Sequence, residues 1–109
     1  MGMFDWLNTE RGTVPTHAPP PDQVRQLVLF KYDSCPYCAR VARVIESLGL
    51  KLEYRDTIRD RTASSELREA TGRSTVPCLF IDGRPLFESD DIIAWLQAYS
   101  DNVSEAARS

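Results

Sequence analysis

The feature that most constrains this chain is a pair of cysteines, Cys35 and Cys38, between a short apolar run and a helical pattern. Pro36 follows the first cysteine, and proline is favoured at the first position of a helix, where its missing N–H is not needed. Cys35 is therefore predicted to cap a helix, with Cys38 one turn further in. Such a pair can bind a metal, form a structural disulfide or exchange thiols and disulfides.

The pattern around the pair predicts four strands and three helices. The predicted strands lie in QLVLFKYD, LEYRDT, CLFID and RPLFE, and the predicted helices follow Pro36 or lie in SSELREATG and DDIIAWLQAYS. The apolar face of the first helix consists of Val41, Val44, Ile45 and Leu48. This spacing puts all four side chains on one side of a helix, so we expect that side to be buried.

The order of these elements predicts the fold class. A strand, a helix and a second strand imply a parallel crossover, and the Asp82–Gly83 dipeptide implies an antiparallel hairpin. Ser64 or Ser65 is expected near the start of the second helix, and Ser89 is expected to cap the third. The fold class is therefore predicted as α/β, with a mixed sheet of four strands and helices on both faces.

Composition narrows the classes of protein. The 109 residues are 42% hydrophobic and 27% charged, as expected for one soluble domain. A net charge of -3 without a basic run argues against a nucleic-acid partner. The longest apolar run, residues 27–30, is too short to cross a membrane, and the acidic N-terminus does not resemble a signal peptide. We therefore expect a cytoplasmic monomer that does not associate with membranes.

The two ends of the chain differ from its middle. Residues 1–22 begin with an apolar cluster that includes Trp6 and continue into a stretch rich in proline. Such a composition predicts an N-terminal extension and a stiff linker that are loosely held; the alternative is that the apolar cluster docks on the domain or on a partner. Residues 23–100 are predicted to form the folded domain, and residues 101–109 a flexible C-terminal tail.

The remaining residues help to choose among the three uses of the cysteine pair. A zinc site needs four ligands, and only Cys78 and His17 remain to join the pair, so no metal is expected. A reducing cytoplasm disfavours a permanent disulfide. At a helix start, free N–H groups and the helix dipole favour the Cys35 thiolate, and Arg40 adds positive charge nearby. Cys35 is therefore predicted to attack and Cys38 to resolve.

Three sequence motifs, one of which contains the cysteine pair, resemble motifs of known protein families. CPYC, STVPCLFIDG and ESDDI are similar in order and spacing to the motifs of dithiol glutaredoxins. LFKYDSCPYC and PLFESDDIIAWL are similar to the N-terminal, glutathione-binding domain of glutathione transferases. Both families have the thioredoxin fold, so the resemblance, which covers roughly residues 23–100, implies that fold and glutathione as cosubstrate.

The resemblance also implies a set of glutathione-binding residues. They are Tyr37, Thr75, Val76, Pro77, Glu88, Ser89, Asp90, Lys31 and Arg73. Pro77 is expected to be cis, Ser89 to receive the γ-glutamyl carboxylate and Asp90 to receive the ammonium. Glutaredoxins often carry a lysine where this chain has Tyr32, which leaves Lys31, Arg59 and Arg73 as candidates for the glycine carboxylate. Glutaredoxins also carry a Gly-Gly pair where this chain has Phe87 and Glu88, whereas transferases carry Glu-Ser there.

The implied function is a glutathione-dependent oxidoreductase that reduces glutathione mixed disulfides and protein disulfides through Cys35. Its expected partners are glutathione and disulfide-containing or glutathionylated proteins. One alternative is an iron–sulfur carrier or sensor, in which two protomers share a cluster through Cys35 and glutathione; Pro36 weighs against it. The other is a non-redox glutathione-binding module, which we expect to lack the helical second domain of the transferases. Cys78 is expected to be a buried packing residue, with glutathionylation left open.

Overall fold

A computed structural model of the protein describes residues 14–103. The four strands are β1 (Leu27–Lys31), β2 (Glu53–Asp56), β3 (Cys78–Ile81) and β4 (Arg84–Leu86). The three helices are α1 (Pro36–Leu48), α2 (Arg61–Thr71) and α3 (Ser89–Asn102). None of these three helices is long and apolar enough to span a membrane. The apolar cluster around Trp6 and the last part of the predicted tail lie outside the described residues.

The strands form one mixed sheet in the order β2-β1-β3-β4. Strand β1 pairs parallel with β2 and antiparallel with β3, and β3 pairs antiparallel with β4. The hairpin turn between β3 and β4 is the Asp82–Gly83 dipeptide, whose φ angles are 50° and 86°. Positive φ at both central residues is the geometry that such a two-residue hairpin turn requires. The predicted crossover and hairpin are both confirmed.

Alternate side chains of β1 enter two cores on opposite faces of the sheet. Leu27 and Leu29 belong to the large core cluster formed with α1 and α3. Phe30 belongs to a smaller cluster that includes Ala63 and Leu67 of α2. Because successive strand residues point to opposite faces, helices α1 and α3 cover one face and α2 covers the other. The predicted α/β fold class is therefore confirmed.

Helix α1 has the apolar face that the sequence predicts, although Val44 and Leu48 are only partly buried. Val41 and Ile45 are 0% and 1% exposed, and each contributes roughly 1.5–3 kcal/mol by leaving water. Gly49 ends the helix at φ 70°, and its N–H donates to the Glu46 carbonyl at 3.1 Å. Glycine suits this left-handed position because it has no Cβ to clash.

Helix α2 starts earlier than the sequence predicts. Its first residue is Arg61, and the Asp60 side chain accepts a hydrogen bond from the Thr62 N–H at 2.9 Å. Ser64 and Ser65, which are predicted near the start, lie three and four residues after Arg61, because Asp60 is an equally suitable N-cap one turn before.

Helix α3 also differs from its prediction at both ends. Ser89 is its first helical residue, and the N-cap position is Glu88, which makes no side-chain capping bond. The predicted Ser89 cap is therefore wrong by one residue. At the other end the helix continues to Asn102, so residues 101 and 102 do not belong to a flexible tail. Its apolar side is buried, with Trp95 and Leu96 both 0% exposed.

Residues 14–22, which we call the N-terminal strap, pack on α3. The Trp95 indole Nε1 donates a buried hydrogen bond of 2.7 Å to the Pro19 carbonyl oxygen. Pro19 is itself buried, and Val14 packs against the core of α1 and α3. The strap is thus part of the packed domain, unlike the loosely held linker that its proline content predicts.

The buried bond between Trp95 and the strap gives a test of this packing. We expect Trp95→Phe to lower the free energy of unfolding by about 1–3 kcal/mol, because the Pro19 carbonyl is left buried without its donor. Asn102→Ala is the control, since the bond of Asn102 to the Pro21 carbonyl is exposed and its loss should cost about 0.5 kcal/mol or less. Urea unfolding measures both, and equal losses would contradict a docked strap.

Candidate functional site

The two cysteines lie at the start of α1, as the sequence predicts. Cys35 occupies the N-cap with φ -84° and ψ 116°, and its Sγ accepts a hydrogen bond from the Cys38 N–H at 3.2 Å. Both thiols are free, and their exposed fractions are 5% for Cys35 and 2% for Cys38. The predicted cap and the deeper position of Cys38 are confirmed, and the sulfur of Cys35, the predicted nucleophile, is more buried than its place at a helix start suggests.

The surroundings of Cys38 favour its protonated form. Burial, followed by the hydrogen bond with the Cys35 side chain, raises the pKa of Cys38 to about 12. At neutral pH Cys38 is therefore a thiol rather than a thiolate. A protonated Cys38 is a poor nucleophile, because the thiolate is the form that attacks.

Cys78 lies in the smaller core, on the α2 face of the sheet. It is 0% exposed, and burial raises the pKa of its thiol to about 12. It packs in the cluster that contains Phe30 and Leu67. The prediction that Cys78 is a buried packing residue is confirmed.

A cavity of about 320 Å³ lies between the start of α1, the segment before β3 and the start of α3. Its lining residues are Tyr37, Arg40, Thr75, Val76, Pro77, Glu88, Ser89 and Asp90. Apart from Arg40, these are seven of the nine glutathione-binding residues that the resemblance implies. The Val76–Pro77 bond is cis, as expected, and Tyr37 is 63% exposed, so it forms an outer wall.

The other two implied residues, Lys31 and Arg73, do not line this cavity. Lys31 Nζ lies 2.7 Å from Asp33 Oδ1, and this hydrogen bond lowers the pKa of the Asp33 carboxyl. Arg59 Nη2 lies 3.0 Å from Asp33 Oδ2. The Arg73 guanidinium stacks on the Phe87 ring at 3.9 Å from its centroid. Each candidate for the glycine carboxylate therefore already has a partner outside the cavity.

Arg40 is the cavity residue that sequence reasoning missed. Its Nη1 donates to Asp90 Oδ1 at 2.6 Å and to Ser89 Oγ at 3.3 Å. The sequence predicted only a general positive charge near Cys35. A usable signal was present, because residues three apart on a helix share a face, which puts Arg40 beside the cavity residue Tyr37.

Glu88 has an uncommon backbone conformation next to the site. Its φ is 72°, a value that glycine adopts without steric cost and that most other residues avoid. This explains why glutaredoxins can carry glycine where this chain has Glu88. Unlike glycine, Glu88 brings a carboxylate to the lining of the cavity.

Comparisons with known proteins agree with this architecture. Residues 29–103 match the family described as glutathione S-transferase, N-terminal domain. Glutaredoxin-C4, a chloroplast protein of Oryza sativa subsp. japonica, is 38% identical over 73 residues, which cover 62% of this chain and 53% of that protein. Hybrid peroxiredoxin hyPrx5 of Haemophilus influenzae is 32% identical over 85 residues, which cover 77% of this chain and 35% of that protein.

A solved structure shares the fold. The wheat glutaredoxin structure superimposes with a TM-score of 0.57 at 27% identity, covering 77% of this chain and 86% of its own. The fold and site thus define an α/β protein with the thioredoxin fold and a dithiol at a helix start. The chain belongs to the glutathione S-transferase N-terminal domain family and is similar to glutaredoxins. It spans about a third to a half of the two curated relatives above.

The raised pKa values of Cys38 and Cys78 predict selective alkylation. In a Cys35→Ser variant at pH 8, we expect iodoacetamide to label the folded protein very slowly, because burial, the largest cause of both raised pKa values, is kept in this variant. In denaturant both remaining cysteines should react quickly. Mass spectrometry counts the labels, and fast labelling of folded Cys38 would contradict its buried, protonated state.

Proposed function

We propose that this protein is a glutathione-dependent thiol–disulfide oxidoreductase, which reduces glutathione mixed disulfides and protein disulfides through Cys35. One observation carries the proposal. The helix that begins at Cys35 also supplies Tyr37 and Arg40 to a cavity that the cis Val76–Pro77 segment and the start of α3 complete. The nucleophile and a site for a charged peptide thus share one helix.

The cavity offers groups that suit glutathione. The start of α3 has free backbone N–H groups, which together with the Ser89 hydroxyl can receive the γ-glutamyl carboxylate. The Asp90 carboxylate can receive the ammonium. The backbone of Val76 can pair with the backbone of the cysteinyl residue, as an added strand does. Similarity to glutaredoxins and membership of a glutathione S-transferase domain family support this choice of ligand.

The first step is an exchange of one disulfide bond for another. The Cys35 thiolate attacks the glutathione sulfur of a mixed disulfide, so a bond forms between Cys35 and glutathione while the substrate's S–S bond breaks. The substrate leaves as a thiolate, with the electron pair of that bond, and takes a proton from water. Cys35 is left as a glutathione adduct.

The adduct is then removed by one of two thiols. A second glutathione thiolate can attack the bound glutathione sulfur, which yields glutathione disulfide and returns the Cys35 thiolate. Alternatively, Cys38 attacks Cys35 Sγ, gives its proton to the departing glutathione and leaves a Cys35–Cys38 disulfide. Because the pKa of Cys38 is about 12, we expect the first route to dominate at neutral pH.

Two cysteine variants test this mechanism. Cys35→Ser should abolish glutathione-coupled reduction of a peptide–glutathione mixed disulfide, because no thiolate is left at the helix start. Cys38→Ser should keep at least about half of the activity, since a second glutathione replaces Cys38 in the removal of the adduct. The rate is measured with glutathione reductase and NADPH at pH 7.

The control for this experiment is Cys78→Ala, which removes a thiol outside the cavity. The fraction of this variant that folds should reduce the mixed disulfide at nearly the wild-type rate. Equal loss in Cys35→Ser and Cys38→Ser would contradict the glutathione route and indicate a dithiol mechanism. In that case turnover coupled to thioredoxin reductase should exceed glutathione-coupled turnover.

A second candidate is a non-redox glutathione-binding module. It is favoured by the family match and by Glu88–Ser89, which follow the transferase pattern. A conjugation assay with an aryl electrophile separates the candidates. Conjugation by Cys35→Ser at the wild-type rate would favour the module over the oxidoreductase.

The alternative role as an iron–sulfur carrier or sensor requires a separate test. In residues 14–103 no group of three or more His, Cys, Asp or Glu side chains could hold a metal ion. A shared cluster would draw on glutathione and a second protomer instead. A protein that stays colourless after anaerobic cluster reconstitution would exclude that role.

A further inference from the structure

An ion pair between two helices lies inside the candidate glutathione cavity. Arg40, on α1, contacts Asp90 and Ser89 in the first turn of α3 at 2.6 Å and 3.3 Å. Both charged side chains are open to solvent, with exposed fractions of 50% for Arg40 and 81% for Asp90. Exposed pairs of this kind contribute little to folding stability, so this pair can rearrange around a ligand at little cost.

The lining of the cavity has more anionic than cationic side chains. Arg40 is the one cation among the described residues of the lining, whereas Glu88 and Asp90 are both anions. Lys31 and Arg73, the basic residues that the resemblance implied, lie elsewhere and have partners there. A carboxylate that enters this cavity therefore meets a single charged donor, the Arg40 guanidinium.

The pair matches the charges at the γ-glutamyl end of glutathione. That end carries a carboxylate and an ammonium on one carbon atom, so its two charges are as close together as those of the ion pair. A guanidinium has five N–H donors arranged along its edges, and Arg40 uses only Nη1 for Asp90 and Ser89. Its remaining donors are available for a carboxylate without release of Asp90.

We propose that Arg40 binds the γ-glutamyl carboxylate of glutathione while Asp90 binds the ammonium, so that the Arg40–Asp90 pair selects thiols with a zwitterionic γ-glutamyl end. The inference rests on the proposed function, since it takes glutathione as the ligand of the cavity. It adds a specificity residue on α1 to the contacts expected from α3. It also gives Arg40 a role distinct from any effect of its charge on Cys35.

Two other roles for Arg40 predict different effects of its removal on glutathione binding. If Arg40 only covered Asp90 in the empty site, glutathione would have to displace it, and its removal would strengthen binding. If Arg40 only joined α1 to α3, its removal would lower stability without discriminating among ligands. Binding measured with ligands of different charge separates the three roles.

The experiment compares two arginines of the same helix. Arg40→Met removes the proposed contact, and Arg43→Met is the matched control, because Arg43 is exposed on α1 but outside the cavity lining. The probe is S-methylglutathione, whose blocked thiol cannot react with Cys35. We expect Arg40→Met to weaken its binding about tenfold by calorimetry and Arg43→Met to change it less than twofold.

A second ligand tests which charge Arg40 contacts. It is S-methylglutathione in which the γ-glutamyl α-carboxylate is an amide and the ammonium is intact. Wild-type protein should bind this amide about tenfold more weakly than the acid, whereas Arg40→Met should bind both nearly equally. Arg40→Lys, which restores the charge without the planar fork, should fall between the wild type and Arg40→Met for the acid. If Arg40→Met does not fold, Arg40→Lys takes its place in the comparison of acid and amide.

The outcomes distinguish this inference from the proposed function. Unchanged or tighter binding of the acid by Arg40→Met, or an equal loss for acid and amide, overturns the role of Arg40. If the wild type still reduces mixed disulfides with glutathione, the proposed function stands without a role for Arg40. A wild type that neither binds S-methylglutathione nor reduces mixed disulfides overturns the proposed function, and the inference with it.

Discussion

The candidate site depends on how α1 begins. The hydrogen bond from the Cys38 N–H to Cys35 Sγ makes the predicted nucleophile part of the helix cap. Strand β1 brings the chain to this point, and Pro36 fixes the backbone for the first turn. The sulfur therefore has a defined position before any substrate arrives. Cys38 lies one turn further in, and both thiols are buried.

The cavity at the start of α1 depends on the packing of α1 against α3. Each helix contributes its first turns to the lining, and both lie on one face of the sheet over a shared core. The strap holds α3 from outside through the bond from Trp95 to Pro19. A segment whose composition looks like a linker thus supports the helix that carries Ser89 and Asp90.

Local signals were enough to predict most of the fold. The cap at Cys35, the turn at Asp82–Gly83 and the buried face with Ile45 each depend on a few neighbouring residues. The errors have a physical reason as well. Asp60 and the serines after it are comparable caps, and only packing of the first turn, where Ala63 is fully buried, decides between them. Tertiary contacts also decide that the strap is docked.

The charges of the site were the hardest part to predict, because they pair across long stretches of sequence. Arg40 and Asp90 are 50 residues apart, yet they meet at 2.6 Å. Lys31 carries the expected charge, but it pairs with Asp33 and does not line the cavity. With Glu88 in place of glycine, the lining holds two anions and one cation. Such a balance suits a ligand end that pairs its carboxylate with an ammonium, and it disfavours a second carboxylate in the same cavity, because an anion there would face Glu88 without a free cation.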